Sequence, residues 1–454
     1  MFSLLGALST AMSGLRAQQG AIQTAANNIA NTNTPGYARR RVVLQEQVAY
    51  GGSFAAMGNG VQLTSVRSLR DSVLELRLHE ETQSYGESEA YVSMMQKAEV
   101  LFGDADGALG NELGAFFDAM QNLSTDASSV PLREGVLTAA GNLASAFRTT
   151  SQQLVALQGN ISRAVKQAVE EVNELAPQIA ALNAAIHEAR SESDASALED
   201  QRTLLIRKMA ELTSVSVMES NEGVTLTTAN GVPLVLGSHS YALEAVPGAN
   251  GSTHVSAAGE DITSELTEGK LGGLLRARDV TIPGLLTDLD ELAYGFATTV
   301  NSIHHGGFDL SGNAGGDFFA QPEQVSGAAA GMTAALSNAR QFAASMDGST
   351  GGSANLARLL AVRDTAVVDG KSPVACYSAI AFRIGSELKH EEAEVAASEM
   401  VLQQLQTQRD AISGVSMDEE LADLLRFQRA FQAAARVVTV VDELTEVVMN
   451  MRRS

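Results

Sequence analysis

Both ends of this chain repeat an apolar residue at alternating steps of three and four, and that spacing restricts what the ends can become. Near the start, Leu5, Leu8, Met12, Leu15, Ile22, Ala26 and Ile29 fall on one helix face, with Gln19 interrupting the stripe. Near the finish, Leu424, Phe427, Phe431, Ala434, Val438, Val441, Leu444, Val448 and Met451 form a second stripe, with Arg, Asp and Glu on other positions. Narrow heptad stripes of this kind stay dry only against a partner helix. The ends are therefore expected to pair with each other, with neighbouring copies of the chain, or with both.

The first stripe runs into Asn27-Asn28-Ile29-Ala30-Asn31-Thr32-Asn33-Thr34-Pro35-Gly36-Tyr37, followed by Ala38 and the basic run Arg39-Arg40-Arg41. Asn tolerates left-handed backbone angles, Thr34 before a proline is pushed out of the helical region, and Pro35-Gly36 suits the centre of a type II turn. As local chemistry this is a helix stop. As a string it resembles the amino-terminal signature of the axial proteins of the bacterial flagellum, the rod, hook and hook-associated proteins. A second segment, Gly414-Val415-Ser416-Met417-Asp418-Glu419-Glu420 running into Leu425-Arg-Phe-Gln-Arg-Ala-Phe431, is similar to their carboxy-terminal helix, with Phe431 where Tyr is common. The block Lys270–Arg278, residues 289–301 and the run Gly307–Phe319 resemble the hook-associated branch of that family. The resemblance covers both ends and part of the middle, and does not extend over 320–372.

The resemblance implies a structural, non-enzymatic subunit at the hook-filament junction, exported through the flagellar type III channel without a cleaved signal. It implies no catalytic residue, cofactor or metal. The implied partners are further copies of the chain in a ring or tube, the hook protein, the next hook-associated protein and an export chaperone, with neither nucleic acid nor membrane among them. The candidate assembly interface comprises Leu8, Leu15, Ile22, Ile29, Leu424, Phe427, Phe431, Val438, Val441 and Leu444, together with Asn27, Asn28, Asn31, Asn33, Pro35, Gly36 and Tyr37. Other axial proteins (hook, rod, the third hook-associated protein or flagellin) and an exported effector enzyme are the alternatives.

Charge agrees with that direction. The net charge is -22, which argues against a nucleic-acid or anionic-membrane binder. Residues 1–70 hold six Arg against Glu46, for +5, while residues 415–454 hold five Arg against seven acids, for -2; the middle carries the remaining -25. Opposite signs favour contact between the ends, and an acidic middle suits a solvated outer face. With the single cysteine Cys376 and no tryptophan, no disulfide framework is possible within one chain. No stretch is long and apolar enough for a membrane helix, and Met1–Leu5 lacks a basic leader, so a cleaved signal is not expected.

The expected fold is mainly α: a helical bundle and coiled-coil core formed by the two terminal regions, with a small inserted β domain. Residues 1–65 with 415–454 form the terminal assembly domain, 66–213 with 275–414 the helical core, and 214–274 the outer β domain. Residues 42–70 read as a loop or hairpin around Gly51-Gly52 and Gly58-Asn59-Gly60. Helices are expected over 71–101 and 111–123. A long helix from Pro131 to Ala189, kinked or weakened at Pro177, then turns back as a second helix from Ala197 to Leu212. The period changes to two at Val215, and Asn230-Gly231 marks a hairpin turn with positive φ. Helices resume over 280–304 and 372–414, with His390-Glu391-Glu392 expected on the solvated side of the last.

Four constellations imitate chemistry without completing it. Asp309, Ser311, Asn313 and Asp317 alternate like a calcium loop, but Ala314 stands where glycine is needed and no Glu closes the loop, so the segment reads as a turn that caps its own backbone. His304-His305 reads as a helix-end cap rather than a metal site. His79-Glu80-Glu81 lacks the second His of a zinc peptidase helix. Cys376 reads as a small core residue.

Overall fold

The computed structural model describes residues 2–47, 60–103, 107–192, 195–220, 223–248 and 252–451. Helix α1 (Phe2–Ala30) ends in the Asn-rich segment, and a turn at Thr34–Tyr37 follows, closed by a hydrogen bond from the Tyr37 N–H to the Thr34 carbonyl at 3.2 Å. Gly36 sits at φ +80°, the left-handed value that the third position of a type II turn requires. The chain then forms an antiparallel hairpin, β1 (Arg40–Glu46) with β2 (Val61–Ser68), irregular at Val43/Leu44. The expected Gly51-Gly52 and Gly58-Asn59 breaks lie outside the described residues.

Asp71 starts α2 (Ser72–Leu101) by accepting from the Val73 and Leu74 N–H groups, a side-chain N-cap. After α3 (Leu109–Leu123), helix α4 (Val130–Glu192) runs for 63 residues, about 95 Å at 1.5 Å per residue. It continues through Pro177 because Ala176, Ile179 and Ala180 are buried on either side of the proline, and packing offsets one missing hydrogen bond. Helix α5 (Ser196–Leu212) returns along it.

The β insertion consists of two antiparallel meanders. The first contains β3 (Ser216–Ser220), β4 (Gly223–Thr227), β5 (Pro233–Leu236) and β6 (His239–Ser240); the second contains β7 (Leu243–Pro247), β8 (Thr253–Ala257) and β9 (Glu260–Asp261). At the Asn230-Gly231 turn only Gly231, at φ +86°, takes a positive angle. Two asparagines of α4 fasten the sheets to the helix. Asn183 donates to the Val224 and Gly237 carbonyls and accepts from the Val224 N–H, while Asn173 exchanges both bonds with Leu243. Each amide pairs with backbone groups of the sheets, much as a further strand would.

Helix α6 (Gly269–Arg276) passes through a π-helical turn, Ala277–Thr281, into α7 (Ile282–His305). Short helices α8 (Ala328–Gly331) and α9 (Ala354–Ala361) precede the long α10 (Pro373–Ser413) and α11 (Met417–Met451). The molecule is thus mainly α, with long helices at both termini and small antiparallel sheets between. Its principal core joins α2–α10 and the β insertion, around an aromatic group of Phe116, Phe117, Phe296, Phe318, Phe319 and Phe342. A small separate cluster, Leu74, Leu78 and Leu405, lies where α2 meets α10.

Two expectations about polar residues are corrected. Glu391 is not on a solvated face: it is 6% exposed and accepts from Arg276 Nη2 at 2.6 Å, because α6 and α10 both pack on α2 and the Arg276 side chain reaches across to it. His304 is not a helix cap. It is fully buried against Phe318 and Phe342, with Nδ1 on the Gly316 carbonyl at 2.7 Å and Nε2 accepting from the Ala343 N–H at 2.8 Å. That pairing requires a neutral ring, and burial holds its pKa below the ordinary value. Asp309 accepts from the Ser311 and Asn313 N–H groups and from the Asn313 side chain, as a turn-capping loop does. Cys376 is buried on α10.

Candidate assembly interface

Helices α1 and α11 lie side by side, with the end of the first against the start of the second, so the pair is antiparallel. The face of α1 that the chain itself buries is small: Ala11, Ala17, Ala21, Thr24, Ala25 and Asn28. The heptad stripe expected to be dry is not that face. Leu8, Leu15, Ile22 and Ile29 are half-buried, while Leu5 and Met12 are 61% and 44% exposed. On α11 the expected stripe does turn inward, with Leu424, Phe427, Phe431 and Val438 half-buried and Val441 buried, but Leu444, Val448 and Met451 are exposed. Small side chains let the helices approach closely, and the larger ones are left on the flanks.

Polar contacts at the turn fix this pairing. The buried Asn28 uses its whole amide: Nδ2 donates to the Arg40 carbonyl and to Glu420 Oε2, each at 3.0 Å, and Oδ1 accepts from the Arg40 N–H at 3.0 Å and from the Tyr37 hydroxyl at 2.8 Å. Arg39 donates to Glu420 Oε1 and Glu419 Oε2, both at 2.6 Å, with Asp423 at 3.8 Å. Burial alone would lower the Arg39 pKa, but the hydrogen bonds and charges of Glu419 and Glu420 outweigh it and raise the value. The Arg39 backbone also bonds the Ser413 carbonyl and the Leu69 N–H, so one residue joins α11, α10 and β2.

A second ionic group ties this unit to the body. Asp200 of α5 pairs with Arg40 at 3.4 Å and with Arg70, while Arg70 also donates to Thr203 Oγ1 at 2.6 Å. Burial raises the Asp200 pKa, an effect that the two arginines partly offset. Between α1, β1 and α11 lies a groove of about 380 Å³ lined by Asn28, Arg39, Arg41, Glu420, Asp423 and Phe427 among others.

Of the turn residues read from sequence, Asn28, Gly36 and Tyr37 are held in this arrangement; Asn31 bonds back to the Asn27 carbonyl, and Asn27, Asn33 and Pro35 face solvent. Sequence reasoning passed over Arg39, Glu420 and Asp200. The opposite charges of the two ends were the available signal for the first two. Asp200 had none, since only the fold brings it to Arg40 and Arg70. Among the described residues no three His, Cys, Asp or Glu side chains converge as metal ligands, and no helix is long and apolar enough to cross a membrane.

Comparison with known proteins agrees with this architecture. Residues 95–319 match the family described as the flagellar hook-associated protein FlgK helical domain, residues 8–37 the flagella basal body rod protein family, and residues 406–451 the flagellar basal body rod FlgEFG protein C-terminal family. A flagellar hook-associated protein 1 of Bacillus subtilis is 29% identical over 99% of both chains. One from Escherichia coli is 31% identical over 69% of this chain, a match that spans 59% of the relative's length. The flagellar hook junction protein FlgK of Burkholderia pseudomallei shares the fold, with a TM-score of 0.66 over 74% of this chain and all of that one, at 17% identity. With rod-family ends enclosing a FlgK-type helical body, and full-length similarity to a hook-associated protein 1, the chain belongs to the flagellar hook-associated protein 1 family.

Proposed function

We infer that this chain is a structural subunit of the flagellar hook-filament junction, on which filament assembly proceeds. The observation that carries this reading is the division of labour between body and ends. The body closes its own core, whereas α1 and α11 pair through small residues and leave Leu5, Met12, Leu421, Leu425, Val440 and Leu444 outward and apolar. Apolar surface in that quantity on paired helices is suited to further copies packed around a common axis. The division into a terminal assembly unit (1–65 with 415–454), a helical body (66–213 with 275–414) and an outer β segment (214–274) is part of the same proposal. So are the interface residues named from the two stripes and the turn.

The proposed partners are further copies of the chain, the hook protein on one side, the next hook-associated protein on the other, and an export chaperone before assembly. Passage through the flagellar export channel is proposed as the route out of the cell. The test is electron microscopy of a strain lacking the chain: complete hooks without filaments, with flagellin released into the medium, are expected. Normal filaments in that strain would overturn the assignment.

A further inference from the structure

The β1–β2 hairpin carries an arrangement that is unfavourable in an isolated copy. Arg41 stands directly opposite Arg67 across the strands, where like charges destabilise the pair. Both are exposed, and neither has an ion partner among the described residues. Edge strands carry cations to discourage edge-to-edge pairing, but that role does not require two to face each other. In a chain of net charge -22, the Arg41–Arg67 face of the hairpin is a basic spot.

The C-terminal half of α11 has the opposite character. Val440, Leu444 and Val447 are 45%, 47% and 49% exposed, at steps of four and three. Asp442, Glu443 and Glu446 stand exposed among them without a cation partner among the described residues. Their spacing places like charges three and four residues apart, which is unfavourable within a helix. In one copy the two surfaces cannot meet. Arg39 holds the base of the hairpin at Glu420, and Glu443 lies about 35 Å farther along α11 at 1.5 Å per residue.

We propose that the Arg41–Arg67 face of one copy receives the acidic, apolar C-terminal half of α11 from a second copy, as a lateral contact between neighbouring subunits. The proposal rests on the assembly role given above. A second copy is the occupant because every copy carries both halves, each electrostatically unsatisfied, and joining them relieves both repulsions. A contact between two different patches of the same chain repeats head to tail, which is how rings and tubes close.

The test expresses the full chain in a strain lacking its own copy and counts filament-bearing cells. Arg41→Glu with Arg67→Glu keeps a like-charged pair on the hairpin; because Arg41 also borders the groove that holds Glu420 and Asp423, melting of the free monomer is measured alongside. Attraction at the contact becomes repulsion, and filament-bearing cells should fall by at least about tenfold. Glu443→Arg with Glu446→Arg should produce the same fall. The chain carrying all four reversals should recover filaments, because the two sides are again complementary. Should the Glu pair lower the melting temperature, Arg41→Gln with Arg67→Gln removes the charges without repulsion and must still reduce filaments. Filaments at the wild-type level in either reversed pair, or in the Gln pair, would overturn the contact. So would a fourfold reversal no better than either pair, which would assign the arginines to another component. If the unaltered chain fails to restore filaments, the junction assignment itself falls, and this contact with it.

Discussion

At the scale of single residues, the molecule uses polar side chains where a seam of apolar ones was expected. Asn28 makes four hydrogen bonds that hold the turn, β1 and α11 together. Asn28→Ala leaves the Arg40 N–H and Glu420 without their partner and should weaken α1–α11 docking by about 2 kcal/mol. Comparing filament counts with the melting of the monomer checks this: assembly should suffer while the body melts unchanged. His79 offers a second test, because it is 5% exposed and neither ring nitrogen has a hydrogen-bond partner among the described residues. Burial lowers its pKa from 6.5 to about 4, with Glu75 opposing and Arg207 adding to the shift. The unfolded chain takes up a proton near pH 6.5 and the folded chain does not. Stability should therefore be full above 6.5 and fall by about 3 kcal/mol as the pH drops to about 4. Asp200 has a raised pKa, so its contribution to the acid side has the opposite sign. Urea midpoints across that range should slope less steeply for His79→Leu than for wild type; equal slopes would show that His79 is not the titrating group.

At the scale of elements, α6 shows why the Lys270–Arg278 block has the residues it has. Gly273 lies so close to the Glu87 carbonyl and the Tyr91 N–H of α2 that a Cβ there has no room, and Gly86 of α2 is equally tight against the Glu211 carbonyl of α5. The helices cross backbone to backbone. Close approach brings Arg276 over the Tyr91 ring at 3.9 Å and into ion pairs with Glu87, Glu387 and Glu391. Gly273→Ala should force α6 away from α2 and destabilise the body by about 3 kcal/mol, read as a lower urea midpoint. Gly284→Ala, on α7 with open space at its Cβ, is the matched control and should change stability little.

At the scale of the whole molecule, burial is distributed unevenly. The body has a continuous core that takes in both β meanders, while the ends bury chiefly alanines, one valine and an ionic group. Isolated helices with so little apolar contact are marginal. In a dilute monomer, amides of α1 and α11 should exchange far faster than those of α4 and α7, and they should become protected on assembly. Equal protection of ends and body in the monomer would contradict the proposed dependence on neighbouring copies.

Much of this was legible along the chain because it is local. The turn at Thr34–Tyr37, the return to helix at Asp71, the long α4 and its return in α5, and the change of period at Val215 each follow from a few adjacent residues and their backbone preferences. The family signatures are local strings as well. What only the tertiary structure decided concerns which side of an element faces what. A heptad stripe identifies the apolar face of α1 but cannot tell whether this chain or another covers it, and here the chain buries the alanine face instead. Glu391 and His304 read as a surface charge and a helix cap because their partners, Arg276, Gly316 and Ala343, come from elements that only the fold brings near. Asp200 meets Arg40 and Arg70 for the same reason. Local conformation is set by interactions within a few residues, whereas burial and ion pairing here depend on partners from 12 residues away, as for His304 and Gly316, to 160, as for Arg40 and Asp200.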